Sequence, residues 1–239
     1  GALTDFPVLI SFTDTDLQAK AQADGDDILF TSSDGTTKLS HEIEKYDPAT
    51  GTLVAWVKVP SLSTTANTDL YLYYGNAGAS DQQNTTDVWS NGYLGVWHLK
   101  EDPSGVAPQI KNSKTGLNDG TSNGGVTAST GKIGGGLNFG GVDGYIQTTS
   151  TELLSQNNLT VSAWFKTNST AVASLILWEG DAAGNGWGSD HEMHLGIGEG
   201  FAVWTPDRVS FYLGSIGPDA SPDSLSLGTG FTDITNWNF

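Results

Sequence analysis

Apolar and polar residues alternate with a period near two along most of this chain, in short runs broken by turn residues. Phe6–Phe12 (FPVLISF) reads as an apolar strand, and Leu39–Tyr46 alternates. Asp47–Gly51 (DPATG) turns the chain, Leu53–Val59 returns it, and Leu70–Tyr74 (LYLYY) ends this first group. Asp24-Gly25-Asp26-Asp27 is a turn ahead of Ile28–Thr31, and Ser32-Ser33-Asp34-Gly35 is shaped for a hairpin. Only Asp14–Ala21 reads as a helix, with Asp14 or Thr15 as its N-cap. Residues 77–91 are polar with one tryptophan, which predicts a linker.

A second group of strands opens at Tyr93–Leu99 (YLGVWHL). Two alternating runs follow a polar loop, Gly136–Thr148 and Leu159–Lys166. A period of two puts Leu137, Phe139 and Gly141 on one side of the first run. It puts Val161, Ala163 and Phe165 on one side of the second, with Trp164 opposite. Leu175–Trp178, Met193–Ile197 and Val209–Leu213 are the next strands. The pattern predicts an all-β protein of two β-sandwich domains, residues 1–76 and 93–239, joined by 77–92.

Composition narrows the functions open to such a protein. The 239 residues carry 27 acids against ten Lys and Arg, a formal charge of −17. That charge repels phosphate backbones and anionic membrane surfaces, so nucleic acid is excluded as a partner. No run is long and apolar enough to insert in a bilayer. There is no cysteine, hence no disulfide and no thiol chemistry. Asn84-Thr-Thr, Asn158-Leu-Thr and Asn168-Ser-Thr are sequons, meaningful only where asparagine is glycosylated. The chain begins at Gly1, from which removal of a leader or excision from a longer protein is expected.

Two resemblances add to this reading. FPVLISF, DGDDILFTSSDGT, HEIEKYDPATGTLVAWVKVPSL and LYLYYGN, in that order over residues 3–76, resemble a family of domains of unknown function. Members occur on archaeal and bacterial surfaces and carry an additional aromatic and basic strand at their start, which this chain lacks. The stretch GKIGGGLNFGGVDGYIQTTSTELLSQNNLTVSAWFKT (131–167) resembles laminin-G-like, concanavalin A-like domains. This implies a jelly roll over residues 93–239 that lacks the family's last strands. It also implies a secreted or cell-surface prokaryotic protein that presents a ligand face, with binding or adhesion favoured over catalysis.

The sharpest candidate chemistry is Asp190-His191-Glu192-Met193-His194. On a strand, Asp190, Glu192 and His194 share one face, with about 7 Å between neighbours, while Met193 and Leu195 share the other. Such a row is a solvated face, a ligand or cation site, or the nucleophile and general acid of a polysaccharide hydrolase. Asp181, Asn185 and Trp187 lie in the glycine-rich loop just before it. They supply the planar polar groups and the flat aromatic face that sugar binding requires, so a glycan is the expected ligand. Neighbouring copies of a surface protein are the other expected partner, through strand exchange at open sandwich edges. The laminin-G resemblance implies calcium as a cofactor, with Asn112, Asn118, Asp119 and Asp143 as its oxygen ligands. Three acids of the family's calcium pattern are replaced here, by Asn112, Gly140 and Gly144. Glu42 and Glu44 share a strand face opposite His41, Ile43 and Lys45, and are expected to face solvent. His98, in an apolar run, is expected to be buried and hydrogen-bonded.

Overall fold

The structure is a computed structural model that describes residues 2–114, 118–149, 158–167, 174–180, 192–197, 209–213 and 223–225. The described elements are mostly strands with two short helices, an all-β protein. The chain divides into two compact units, residues 1–149 and 150–239.

The first unit begins with β1 (Leu3–Thr13), α1 (Thr15–Lys20), β2 (Leu29–Thr31), β3 (Lys38–Leu39), β4 (His41–Asp47), β5 (Thr52–Leu62) and β6 (Tyr71–Tyr73). These strands form two antiparallel sheets, ordered β1-β5-β4 and β3-β2-β6. Leu53, Ala55, Val57 and Val59 alternate along β5 and are buried. They meet Phe30, Leu39, Ile28 and Leu17 in one core. Asp14 is the N-cap of α1, its Oδ1 accepting from the N–H groups of Asp16 and Leu17 at 2.7 and 3.0 Å. Gly51 closes the β4–β5 turn at φ +69, where a Cβ would stand 2.0 Å from the Asp14 carbonyl.

The alternating run 39–46 is not one strand. It breaks at Ser40, where the chain passes from the sheet of β3 to the sheet of β4. The Ser40 carbonyl still accepts from Lys58 N–H at 2.9 Å, so its link to β5 is kept through the switch. A second departure is a bulge in β4. Ile43 pairs with Ala55 and Lys45 with Val54, so Glu44 is the extra residue. Beyond the bulge Lys45 lies on the same side as Glu42 and not with His41 and Ile43, because each extra residue reverses the alternation.

Residues 77–92, expected as a linker, hold α2 (Thr85–Val88) and the buried Val88 and Trp89. Asn84 caps α2 through its side chain, and its own N–H donates to the His41 carbonyl at 3.0 Å. Asp87 on α2 accepts from Ser40 Oγ at 2.6 Å and from Lys58 Nζ at 3.1 Å. The segment is therefore fastened across the outer face of β4 and β5. Tyr93–Leu99 is not a strand: it contributes one antiparallel bridge, Trp97 to Asn112, and Leu99 turns at φ +58.

Further along lie β7 (Thr121–Asn123), β8 (Thr127–Thr130), β9 (Gly135–Asn138) and β10 (Tyr145–Gln147), paired as β7 with β10 and β8 with β9. The expected run 136–148 is thus two strands. Gly140 and Gly141, at φ +64 and +76, turn the chain between them and leave Phe139 at the surface. In the second unit, burial over residues 158–167 alternates at every residue, with Val161, Ala163 and Phe165 on the less exposed side and Trp164 exposed. Its strands β11 (Ser174–Gly180), β12 (Glu192–Ile197), β13 (Val209–Leu213) and β14 (Asp223–Leu225) form an antiparallel meander in that order.

Candidate functional site

The outer face of β4 and β5 carries the most concentrated polar chemistry among the described residues. Glu42 pairs across the ladder with Trp56, so both stand on the face opposite the core residues Ala55 and Val57. Glu44, two residues further along the strand, reaches the same face, where it meets His98. Trp89, His98, Lys100 and Ser113 are laid over it by the segment that follows α2.

His98 lies between the two carboxylates. Its Nε2 is 3.1 Å from Glu42 Oε2 and its Nδ1 is 2.6 Å from Glu44 Oε2. Trp89 Nε1 donates to Glu42 Oε2 at 2.7 Å, and Ser113 Oγ donates to Glu42 Oε1 at 2.7 Å. Trp56 Nε1 donates to Glu44 Oε2 at 3.3 Å. Lys100 Nζ is 4.0 Å from Glu42 Oε1 and donates to the Ile43 carbonyl at 2.9 Å. The indole rings of Trp56 and Trp89 meet edge-to-face at 5.3 Å and flank the imidazole.

The cluster is sealed. Side-chain exposure is 6% for Glu42, 1% for Glu44 and 10% for His98. Burial by itself favours neutral imidazole, but the hydrogen bonds and charges of Glu42 and Glu44 outweigh it and raise the His98 pKa to about 9. Burial likewise favours protonated Glu42. The His98 hydrogen bond and charge, with the Trp89 and Ser113 donors, overcome this and bring its pKa to about 2. Both ring nitrogens then donate, and His98 is an imidazolium held by two carboxylates. The expectation that Glu42 and Glu44 face solvent is corrected here: residues 84–113 cover the face they occupy. Glu44 Oε1 has no hydrogen-bond partner among the described residues, and a Cβ on Gly134 would come within 2.8 Å of it. That glycine lets the 131–135 turn close over the cluster.

Of the expected calcium ligands, Asn112, Asn118 and Asp119 belong to one loop whose oxygens have protein donors. Asp119 accepts from Asn112 N–H at 2.9 Å and from Lys111 Nζ at 2.8 Å. Burial raises its pKa, and those two donors outweigh burial and hold it low. Asn112 Oδ1 accepts from the N–H groups of Val96 and Lys114 at 3.0 and 3.1 Å. The Asn118 carbonyl accepts from Trp97 Nε1 at 3.1 Å. Asp143 Oδ1 accepts from Gly125 N–H at 3.1 Å in a different turn. Among the described residues no group of three or more His, Cys, Asp or Glu side chains is arranged to hold a metal. Asp181, Asn185, Trp187 and Asp190 lie outside the described residues. Glu192 and His194 lie on β12, where Glu192 pairs with Gly180 and His194 with Trp178 and Tyr212.

Sequence reading missed this cluster because its two glutamates and its histidine sit more than fifty residues apart. The available signal was a buried histidine at 98 in need of partners, together with two glutamates at i and i+2 on a strand.

These features define an all-β protein whose first unit is built on a two-sheet core with a buried, ion-paired outer face. Residues 24–96 match the model of a domain of unknown function (DUF2341). The match spans Glu42, Glu44, Trp56 and Trp89, includes the segment 77–92, and ends just ahead of His98. No curated protein and no solved structure matches the chain. Among the described residues, no helix is long and apolar enough to cross a membrane.

Proposed function

We propose that this chain is a non-catalytic binding module of a secreted or cell-surface prokaryotic protein, with a neutral glycan as its ligand. The observation that carries the reading is the state of the Glu42–His98–Glu44 cluster. A general acid or nucleophile must reach its substrate, and these groups are sealed and already bonded to one another. Exposed aromatic side chains stand on β6. Tyr71 and Tyr73, 51% and 46% exposed, flank Leu72 on β6, and Leu72 pairs with the core residue Phe30. The two tyrosines therefore point away from the core, about 7 Å apart along the strand. Flat faces at this spacing suit stacking of sugar rings, and a charge of −17 disfavours anionic ligands.

The loop and strand 181–194 form a second proposed binding stretch, through Asp181, Asn185, Trp187, Asp190, Glu192 and His194. Calcium assistance remains part of the proposal. A glycan array probed with the purified chain, with and without chelator, tests the reading. Binding to neutral sugars is expected, weakened by Tyr71→Ala with Tyr73→Ala or by Trp187→Ala with Glu192→Gln. Loss on chelation supports calcium. Binding to no sugar, or hydrolysis of a polysaccharide abolished by Glu192→Gln, overturns it.

A further inference from the structure

We propose that the outer edge of β1 pairs with the same edge of a second copy of this chain, antiparallel and centred on Ile10. The proposal is independent of the glycan reading. β1 is a strand of eleven residues whose one neighbour among the described residues is β5. Every second residue of an edge strand turns its N–H and C=O away from the sheet, which makes a template for another strand. Proteins blunt such edges with charges, prolines or covering loops. Here those devices are confined to the first part of the strand. Asn91 Nδ2 donates to the Thr4 carbonyl at 3.1 Å, Asp5 turns at φ +49, and Pro7 has no N–H to give. The remaining six residues, Val8–Thr13 (VLISFT), contain no charge and no proline in a chain of net charge −17. High β-propensity, low charge and an open edge are the properties that favour strand addition.

The side chains select the occupant. Val8, Ile10 and Phe12 pack against the core yet remain partly exposed, and among the described residues no strand pairs beyond them at this edge of the sheet. On the other face Leu9 and Ser11 are exposed. A neighbouring strand that satisfies both faces must alternate in the same way, apolar toward the core and short or polar outside. A two-fold pairing must also keep each face with its own kind, since opposite residues share a side of the sheet. Centring on Ile10 does this. Val8 then lies opposite the partner's Phe12, and Leu9 opposite the partner's Ser11. The first is an aromatic–β-branched pair of the kind that stabilises antiparallel ladders. No carboxylate lies opposite another within Val8–Thr13 in this register, since the segment holds no acid. An isologous contact of this type closes on itself and yields a dimer, not a filament.

The test is the oligomeric state of the full 239-residue chain across a concentration series, by sedimentation equilibrium. A monomer–dimer equilibrium is expected. Combined Leu9→Glu and Ser11→Glu places like charges opposite each other twice across the axis and is expected to weaken the dimer roughly tenfold or more. Combined Leu9→Lys and Ser11→Glu places opposite charges there and is expected to restore it. Hydrogen exchange on the unaltered chain needs no variant: amides within Val8–Thr13 gain protection as concentration rises. A chain that stays monomeric throughout, a dimer indifferent to the double-glutamate variant, or a dimer not restored by the lysine–glutamate pair overturns the proposal.

Discussion

Two histidines in the first unit are buried on opposite faces of the same sheet, and they differ in charge. His41 lies on the core side of β4, fully buried, edge-on to Phe30 at 5.3 Å. Neither of its ring nitrogens has a hydrogen-bond partner among the described residues. Burial drives its pKa down, and the nearby Leu39 and Ile28 carbonyls pull upward less strongly. His98 lies against the outer side of the same strand with a carboxylate at each nitrogen, and its pKa rises to about 9. Desolvation acts on both rings in the same direction. What reverses the outcome is that two glutamate side chains contact the ring on one face and no side chain bonds it on the other. A buried histidine is therefore apolar filling or a charged rivet according to what the facing strand supplies.

The contrast breaks most sharply at His98. Replacing it by Leu leaves Glu42 and Glu44 facing each other in a dry site without their shared cation. Loss of one partner of a buried ion cluster costs about 3–5 kcal/mol. Urea unfolding followed by tryptophan fluorescence is expected to show a loss of that size. A change below about 1 kcal/mol would mean that the cluster contributes no more than a surface pair.

The two rings also set opposite limbs of a stability–pH curve. His98 binds its proton more tightly in the folded state, so its contribution is complete below pH 6.5 and is lost as pH rises through about 9. A shift from 6.5 to about 9 corresponds to roughly 3 kcal/mol over that interval. His41 binds its proton less tightly when folded, so its contribution is present above pH 6.5 and is lost as pH falls below it. Glu42, with its pKa lowered from 4.5 to about 2, adds a further loss below pH 4.5. Maximum stability is expected near pH 6.5. His98→Leu is expected to flatten the alkaline limb and His41→Leu the first part of the acid limb, read from unfolding midpoints across pH.

Trp89→Phe tests the donors around the anions. It keeps the ring packing against Trp56 but removes a 2.7 Å hydrogen bond to Glu42. A hydrogen bond to a charged group contributes about 1.5–3 kcal/mol, so the thermal midpoint falls by less than in His98→Leu and the alkaline limb persists. The smallest effect is expected at His41. His41→Leu removes no hydrogen bond and substitutes an apolar side chain in an apolar core, so stability at pH 7 changes by under about 1.5 kcal/mol. A loss as large as that of His98→Leu would put an unrecognised polar partner beside His41.

Much of the first unit is legible in the sequence because its signals are local. The alternation of Leu53, Ala55, Val57 and Val59, the Asp14 cap and the turns at 32–35 and 47–51 each need only a few neighbouring residues to read. In the second unit the run expected as a strand over 159–166 is not one, and its alternation survives only as alternating burial. Period-two logic fails where a single residue resets it. The sheet switch at Ser40, the bulge at Glu44 and the glycine turn at 140–141 each interrupt a run that looks continuous, since ladder hydrogen bonds and not side-chain pattern decide where a strand ends.

The cluster itself was beyond the sequence for a different reason. A Glu-x-Glu strand is a solvated face until something covers it, and what covers it here comes from residues 84–113. The chain alone determined the residue types, the apolar face of each strand and the need of His98 for partners. Tertiary structure decided that the two glutamates, the imidazole and the indoles would share one dry volume. Charge states follow from proximity in space, and proximity between residues fifty positions apart is set by packing, not by local pattern.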